Sequence, residues 1–116
     1  MAKLEVKRGD IWWVNSVRFS DDAPEYQGSR PCLIISNDIS NGVSTSVIAV
    51  QMTTKGSHLP YFVRVTPKEG VIKTSYINCA NIRTIGIKML ERKMGQLSDE
   101  ALERVDQSLR THLELE

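Results

Sequence analysis

Pro31-Cys32-Leu33-Ile34-Ile35-Ser36 holds four consecutive apolar residues bounded by a proline and a serine. A run this short and this apolar predicts a strand buried on both faces, in the middle of a sheet. Upstream, Ile11-Trp12-Trp13-Val14 is a second cluster of β-formers, launched by Gly9-Asp10. Between the two lies Ser16 to Ser29, polar and carrying Asp21, Asp22, Pro24 and Gly28. It reads as a loop longer than most connections, and loops of that length usually carry function.

Downstream, Ser46 to Met52 and Tyr61 to Val65 predict a third and a fourth strand, separated by the polar loop Thr53 to His58. Asn37-Asp38, Asn41-Gly42 and Pro67 to Gly70 read as turns. Two further strands are expected within Val71 to Cys79 and Asn81 to Ile85. From Ser98 the period changes: Leu102, Val105, Leu109 and Leu113 recur at helical spacing. Ser98 is the expected N-cap, with Asp99 and Glu100 in the first turn and Leu97 facing Leu102 as a hydrophobic staple. Strands followed by one amphipathic helix predict a mostly-β α+β fold, a small, strongly curved antiparallel sheet with a C-terminal helix.

The 116 residues (1–116) are expected to form one domain, with 41% hydrophobic and 25% charged residues as in ordinary globular chains. The longest apolar runs are far below the roughly 20 residues of a membrane helix, and the charged start is unlike a signal peptide. Two cysteines, Cys32 and Cys79, make no disulfide framework and read as core thiols, so a cytoplasmic location is expected. A formal net charge of +1 requires any nucleic-acid contact to use a local cluster of cations.

Cys32, Cys79, His58 and His112 have no metal-ligand spacing, and no cofactor is expected. Asp21, Asp22 and Glu25 read as a solvated charged loop, with a cation site as the alternative. Phosphate-loop, dinucleotide and serine-hydrolase motifs are missing. Arg30 stands immediately before the buried strand, where its stem packs and its guanidinium points into whatever the long loop covers. Thr53-Thr54 ends the third strand and reaches the same edge if strands two and three are neighbours. Arginine beside a hydroxyl suits a phosphate, though a surface ion pair is the plain alternative.

Lys7-Arg8-Gly9-Asp10-Ile11-Trp12-Trp13-Val14 and Glu25-Tyr26-Gln27-Gly28-Ser29-Arg30-Pro31, followed by Leu33-Ile34-Ile35 and Asn37-Asp38, resemble the MazF/PemK toxins of type II toxin–antitoxin pairs. Ile82-Arg83-Thr84-Ile85 and Gly95-Gln96-Leu97-Ser98 extend the resemblance in order to the C-terminus. The resemblance implies an SH3-like barrel with a C-terminal helix, a homodimer and a cognate antitoxin. It also implies a metal-independent, sequence-selective endoribonuclease acting on single-stranded RNA. Carried over by position, Arg30 and Thr53 are the catalytic pair and Glu25 the loop carboxylate. Two departures stand out: Tyr26 replaces a glutamine, and Ala80-Asn81 replaces an acidic residue followed by glutamine. The first offers a ring to a base; the second removes a carboxylate that related toxins carry.

The implied reaction uses the RNA 2′-hydroxyl as nucleophile, with Arg30 stabilising the phosphorane, Thr53 orienting the phosphate and Glu25 the candidate base. Arg18, Tyr26, Gln27, Gly28, Thr54, Lys55, His58, Asn81 and Arg83 are the candidate RNA contacts. One of Trp12 and Trp13 is expected in the core and the other at the surface or in a dimer contact, with base stacking as the third reading, and His112 is read as structural. The competing readings are a CcdB-like gyrase-binding toxin and a non-catalytic SH3-like interaction module, neither of which needs the Arg30–Thr53 pair.

Overall fold

In the computed structural model, which describes residues 4–15 and 29–116, six strands and two α-helices follow one another. They are β1 (Asp10–Asn15), β2 (Ser29–Ile34), α1 (Asp38–Val43), β3 (Ser46–Thr53), β4 (Phe62–Val65), β5 (Ser75–Gly86), β6 (Leu90–Gln96) and α2 (Asp99–Leu113). All strands join one antiparallel sheet in the order β4-β5-β3-β2-β1-β6. The curved sheet stays open between its edges β4 and β6. As expected of its apolar run, β2 lies in the interior of the sheet, with Leu33 and Ile34 fully buried.

Alternation along the strands divides the apolar residues between the two faces. On one face Leu33, Val50, Met52, Ile77 and Cys79 meet Leu97, Ala101 and Val105 of the α2 region. On the other, Trp12, Val14, Cys32, Ile34, Val47, Ala49 and Ile85 gather beneath Val6 and Leu90. Trp12 therefore belongs to the core and Trp13 does not, the division that alternation predicts. The Ser98 hydroxyl accepts from the Ala101 amide at 3.3 Å, capping α2. Leu97 is buried and Leu102 packs on the same cluster, as a staple requires. Leu113, the last residue of α2, departs from the expected stripe at 48% exposure.

Three elements differ from the sequence reading. Asn37 to Asn41 forms no simple turn; Asn37 caps α1 by accepting from the Ser40 amide at 2.8 Å. The two strands expected either side of Ala80 are one twelve-residue strand. Its pairing with β3 runs Val50↔Ile82 and then Gln51↔Asn78, so Cys79, Ala80 and Asn81 form a bulge where the sequence reading breaks the strand. The edge strand β6 has no counterpart in the sequence reading. At its end, Gly70 (φ 106) passes so close to Gln96 that a Cβ would stand 1.9 Å from the Gln96 carbonyl oxygen. The Ser98 amide donates to the Glu69 carbonyl at 2.8 Å, tying the turn after β4 to the start of α2.

Candidate functional site

The ladder between β2 and β3 decides where Arg30 and Thr53 meet. It runs Ile34↔Ala49, Leu33↔Val50 and Cys32↔Gln51, and Arg30 and Thr53 each stand two residues beyond its last pair. On the far side Thr53 pairs with Tyr76, and Tyr76 with Arg64. The next row on that face is Cys32, Gln51, Asn78 and Phe62. An arginine, a threonine and a tyrosine thus line up across three strands, flanked by two amides and a phenylalanine.

Arg30 and Thr53 both line a cleft of ≈ 450 Å³, whose apolar lining includes Ile11, Trp13, Met52, Val71 and Met94. Thr54, Lys55, Lys73 and Ser75 share its rim. Three cations (Arg30, Lys55 and Lys73) face the cleft, and its described lining holds no carboxylate. Arg30 is exposed, its Nη1 donating to the Ser29 carbonyl at 3.4 Å. Thr53 Oγ1 accepts from the Lys55 amide at 3.1 Å, which leaves the hydroxyl proton available to a ligand. The loop can lie this close because Gly56 rests on Tyr76, where a Cβ would stand 2.0 Å from the ring. Tyr76 in turn meets Phe62 edge-on, with centroids 6.3 Å apart.

The other sequence candidates scatter. Asn81 donates its amide to Gln51 Oε1 at 2.7 Å, on the bulge beside the second row and outside the cleft lining. Arg83 pairs opposite Ala49, on the Cys32 side of the sheet and likewise outside the cleft lining. His58 is exposed in the loop, and His112 packs on Tyr61 at 5.6 Å. Arg18, Glu25, Tyr26, Gln27 and Gly28 lie outside the described residues. Burial pushes the Cys32 thiol up to about 12 and also raises Cys79, so both keep their protons as core residues. Among the described residues no three His, Cys, Asp or Glu side chains converge as a metal set.

Sequence reasoning missed Lys73 as a cleft residue and Gln51, Phe62, Tyr76 and Asn78 around Thr53, and it ranked base stacking last for the exposed tryptophan, Trp13. The alternation Ser75, Ile77, Cys79 inward and Tyr76, Asn78 outward was a usable signal. Lys73 carries none, because it reaches the cleft from a segment without regular structure.

Comparison with known proteins bears directly on this arrangement. Residues 7–113 match the family described as PemK-like, MazF-like toxin of type II toxin-antitoxin system. The chain belongs to the MazF/PemK toxin family. A curated relative, the endoribonuclease EndoA of Bacillus subtilis, is 36% identical over 117 residues, covering 95% of this chain and 96% of that one. Among solved structures, an endoribonuclease from a mycobacterial species superposes with a TM-score of 0.81 at 26% identity, covering 97% of this chain and 94% of that one. A mycobacterial endoribonuclease in complex with its cognate antitoxin gives 0.79 at 26% identity, with 98% of both chains covered. As a MazF-like toxin the chain has no helix, among the described residues, long and apolar enough to cross a membrane.

Proposed function

We propose that this toxin is a metal-independent, sequence-selective endoribonuclease that cuts single-stranded RNA, mRNA included, and so inhibits translation and growth. The reading is supported by one observation above others: Arg30 and Thr53 line one cleft together with Lys55 and Lys73. The names of its relatives, endoribonucleases in Bacillus subtilis and mycobacteria, point the same way.

RNA carries its own nucleophile. In-line attack of a 2′-hydroxyl on the adjacent phosphorus leaves a 2′,3′-cyclic phosphate and expels a 5′-hydroxyl. The reaction needs a base, a proton for the leaving oxygen and stabilisation of the extra negative charge on phosphorus. Arg30 supplies the last, with its fork matched to phosphate oxygens. One of its N–H groups protonates the leaving 5′-oxygen, and the proton taken by the base returns through water to reset it. Thr53, its oxygen already accepting from the Lys55 amide, donates a hydrogen bond to a phosphate oxygen and fixes the geometry. Glu25, outside the described residues, is the base in this reading. Lys55 and Thr54 hold the strand beside the scissile step. Tyr76 and Phe62 offer ring surface, and Gln51, Asn78 and Asn81 offer amides to base edges.

A cognate antitoxin is the protein partner in this reading; it neutralises the toxin in the cytoplasm, and its acidic segment suits a cleft of cations. The toxin itself is a homodimer, and Ile48 and Ile82, diagonal neighbours exposed on the α2 side of the sheet, are candidate seam residues.

Incubating the purified chain with a long unstructured RNA in EDTA tests the enzyme. Cleavage with cyclic-phosphate and 5′-hydroxyl ends, and an untouched DNA copy, is the expected outcome. RNA left intact by stoichiometric protein overturns the reading and favours a toxin that acts by binding alone. Sedimentation at twice the chain mass is expected for the free toxin.

A further inference from the structure

Trp13 and Lys73 line the same cleft as Arg30 and Thr53, yet the chemistry at the scissile phosphate requires neither. Trp13 alternates with the buried Trp12, so its indole stands out of the core. The Arg92 guanidinium carbon lies 5.2 Å from the Trp13 ring centroid, and Arg92 itself is outside the cleft lining. A cation outside the cleft lining thus lies over the ring, while Trp13 joins Ile11, Met52 and Met94 in the apolar part of that lining.

Lys73 is exposed and makes no ion pair among the described residues. Its backbone is nonetheless fixed at both ends. Ser75, only 7% exposed, donates its hydroxyl to the Lys73 carbonyl at 2.8 Å. Three residues before Lys73, Gly70 is wedged against the Gln96 backbone. An ammonium with a set origin therefore projects from the same cleft as a π-faced apolar wall. A phosphate alone gains nothing from an indole, and an apolar ligand gains nothing from an ammonium. A nucleotide uses both.

We propose that Trp13 and Lys73 form a second nucleotide subsite, in which the indole stacks a base next to the scissile step and Lys73 holds that nucleotide's phosphate. The inference rests on the endoribonuclease reading and deepens it, since this subsite sets how the strand threads past Arg30.

The probe is a mixed-sequence 2′-O-methyl oligonucleotide, which binds but lacks the nucleophile, read across a salt series alongside steady-state cleavage of a long RNA. Lys73→Gln is expected to flatten the slope of log affinity against log salt by about 0.7, the share of one phosphate contact on a single strand. Lys88→Gln, in a separate hollow with Val43 and Ile87, is expected to leave that slope alone. Trp13→Ala is expected to weaken binding roughly five- to a hundredfold, with the cleavage defect falling on KM and Trp13→Phe restoring most of it. Trp13→Leu, which keeps an apolar side chain and loses the ring, replaces Trp13→Ala if that variant does not fold. An unchanged slope in Lys73→Gln, or unchanged affinity in the folded Trp13 variant, overturns the subsite. Wild-type protein that cuts no RNA overturns the endoribonuclease reading instead, so the two failures are told apart.

Discussion

Arg30 shows what a single position in the sequence can and cannot convey. Its place immediately before an apolar run marked it as a sheet-edge cation, and the described structure puts it at the cleft rim with no carboxylate partner. Thr53 was legible for the same reason, because it ends a run whose strand character is unambiguous. Tyr76 and Asn78 were not, because their proximity to Thr53 depends on the β3–β5 register across a bulge, and Lys73 was not, because it comes from a segment without regular structure. Arg30→Ala is expected to lower the cleavage rate roughly a hundred- to a thousandfold with the circular dichroism spectrum retained. Wild-type cleavage by that variant removes Arg30 from the chemistry. Cys32, two residues further on, gives a different expectation. Burial moves its thiol from 9.0 to about 12, so the native protein resists thiol-disulfide reagents at pH 8 and reacts once unfolded. The sign for stability follows. Above pH 9 the unfolded thiol releases its proton while the folded one keeps it, so the unfolded state binds fewer protons and stability falls as pH rises from about 9 towards 12. A denaturant midpoint higher at pH 10 in Cys32→Ser than in wild type, relative to the same pair at pH 7, is the expected readout.

Elements with a strong internal pattern were legible, and those defined by their neighbours were not. The helix α2 announced itself through its period and cap, and β2 through its apolar run. The edge strand β6 buries only Leu90 well and spends its middle on Glu91, Arg92 and Lys93, so it has no alternation to read. Charged edges of this kind discourage pairing with other chains, which is why the pattern is missing. At six residues α1 is too short for a period to appear, and it leaves Ile39 and Val43 exposed. Two substitutions separate local from tertiary control of these elements. Ser98→Ala removes the cap of α2 and is expected to cost about 1 kcal/mol in denaturant unfolding. Gly70→Ala is expected to cost more, about 2 kcal/mol or above, because a left-handed backbone and a carbonyl 1.9 Å from the new carbon must both give way. Equal costs for the two would mean that the Gly70–Gln96 crossing relaxes freely and does not hold the cleft wall.

At the scale of the molecule, charge is sorted by task. The net charge of +1 hid this, since it sums groups that do different things. The buried Asp10 takes the Lys7 amide at 2.9 Å and the Lys93 ammonium at 3.2 Å, fixing the turn into β1. Asp106 of α2 holds the Arg8 guanidinium, whose Nε donates to the Ile35 carbonyl at 3.2 Å and so ties the chain before β1 to the helix. Glu69 takes both Arg104 nitrogens, at 2.7 and 2.8 Å, anchoring the turn that ends at Gly70. The Arg8 amide, donating to Asp38, holds that carboxyl below the usual range. Carboxylates therefore brace the scaffold, while Arg30, Lys55 and Lys73 meet none along the described cleft and concentrate positive potential there. Three phosphate contacts on a single strand imply a slope of log affinity against log salt of about −2, which is roughly a fifteenfold loss between about 50 and 200 mM salt. Binding of an uncleavable 2′-O-methyl RNA, followed by fluorescence anisotropy, is expected to show this dependence despite a chain close to neutral. A flat salt response would mean that the cleft cations do not touch the backbone of the ligand, and the local field would then have no part in holding RNA.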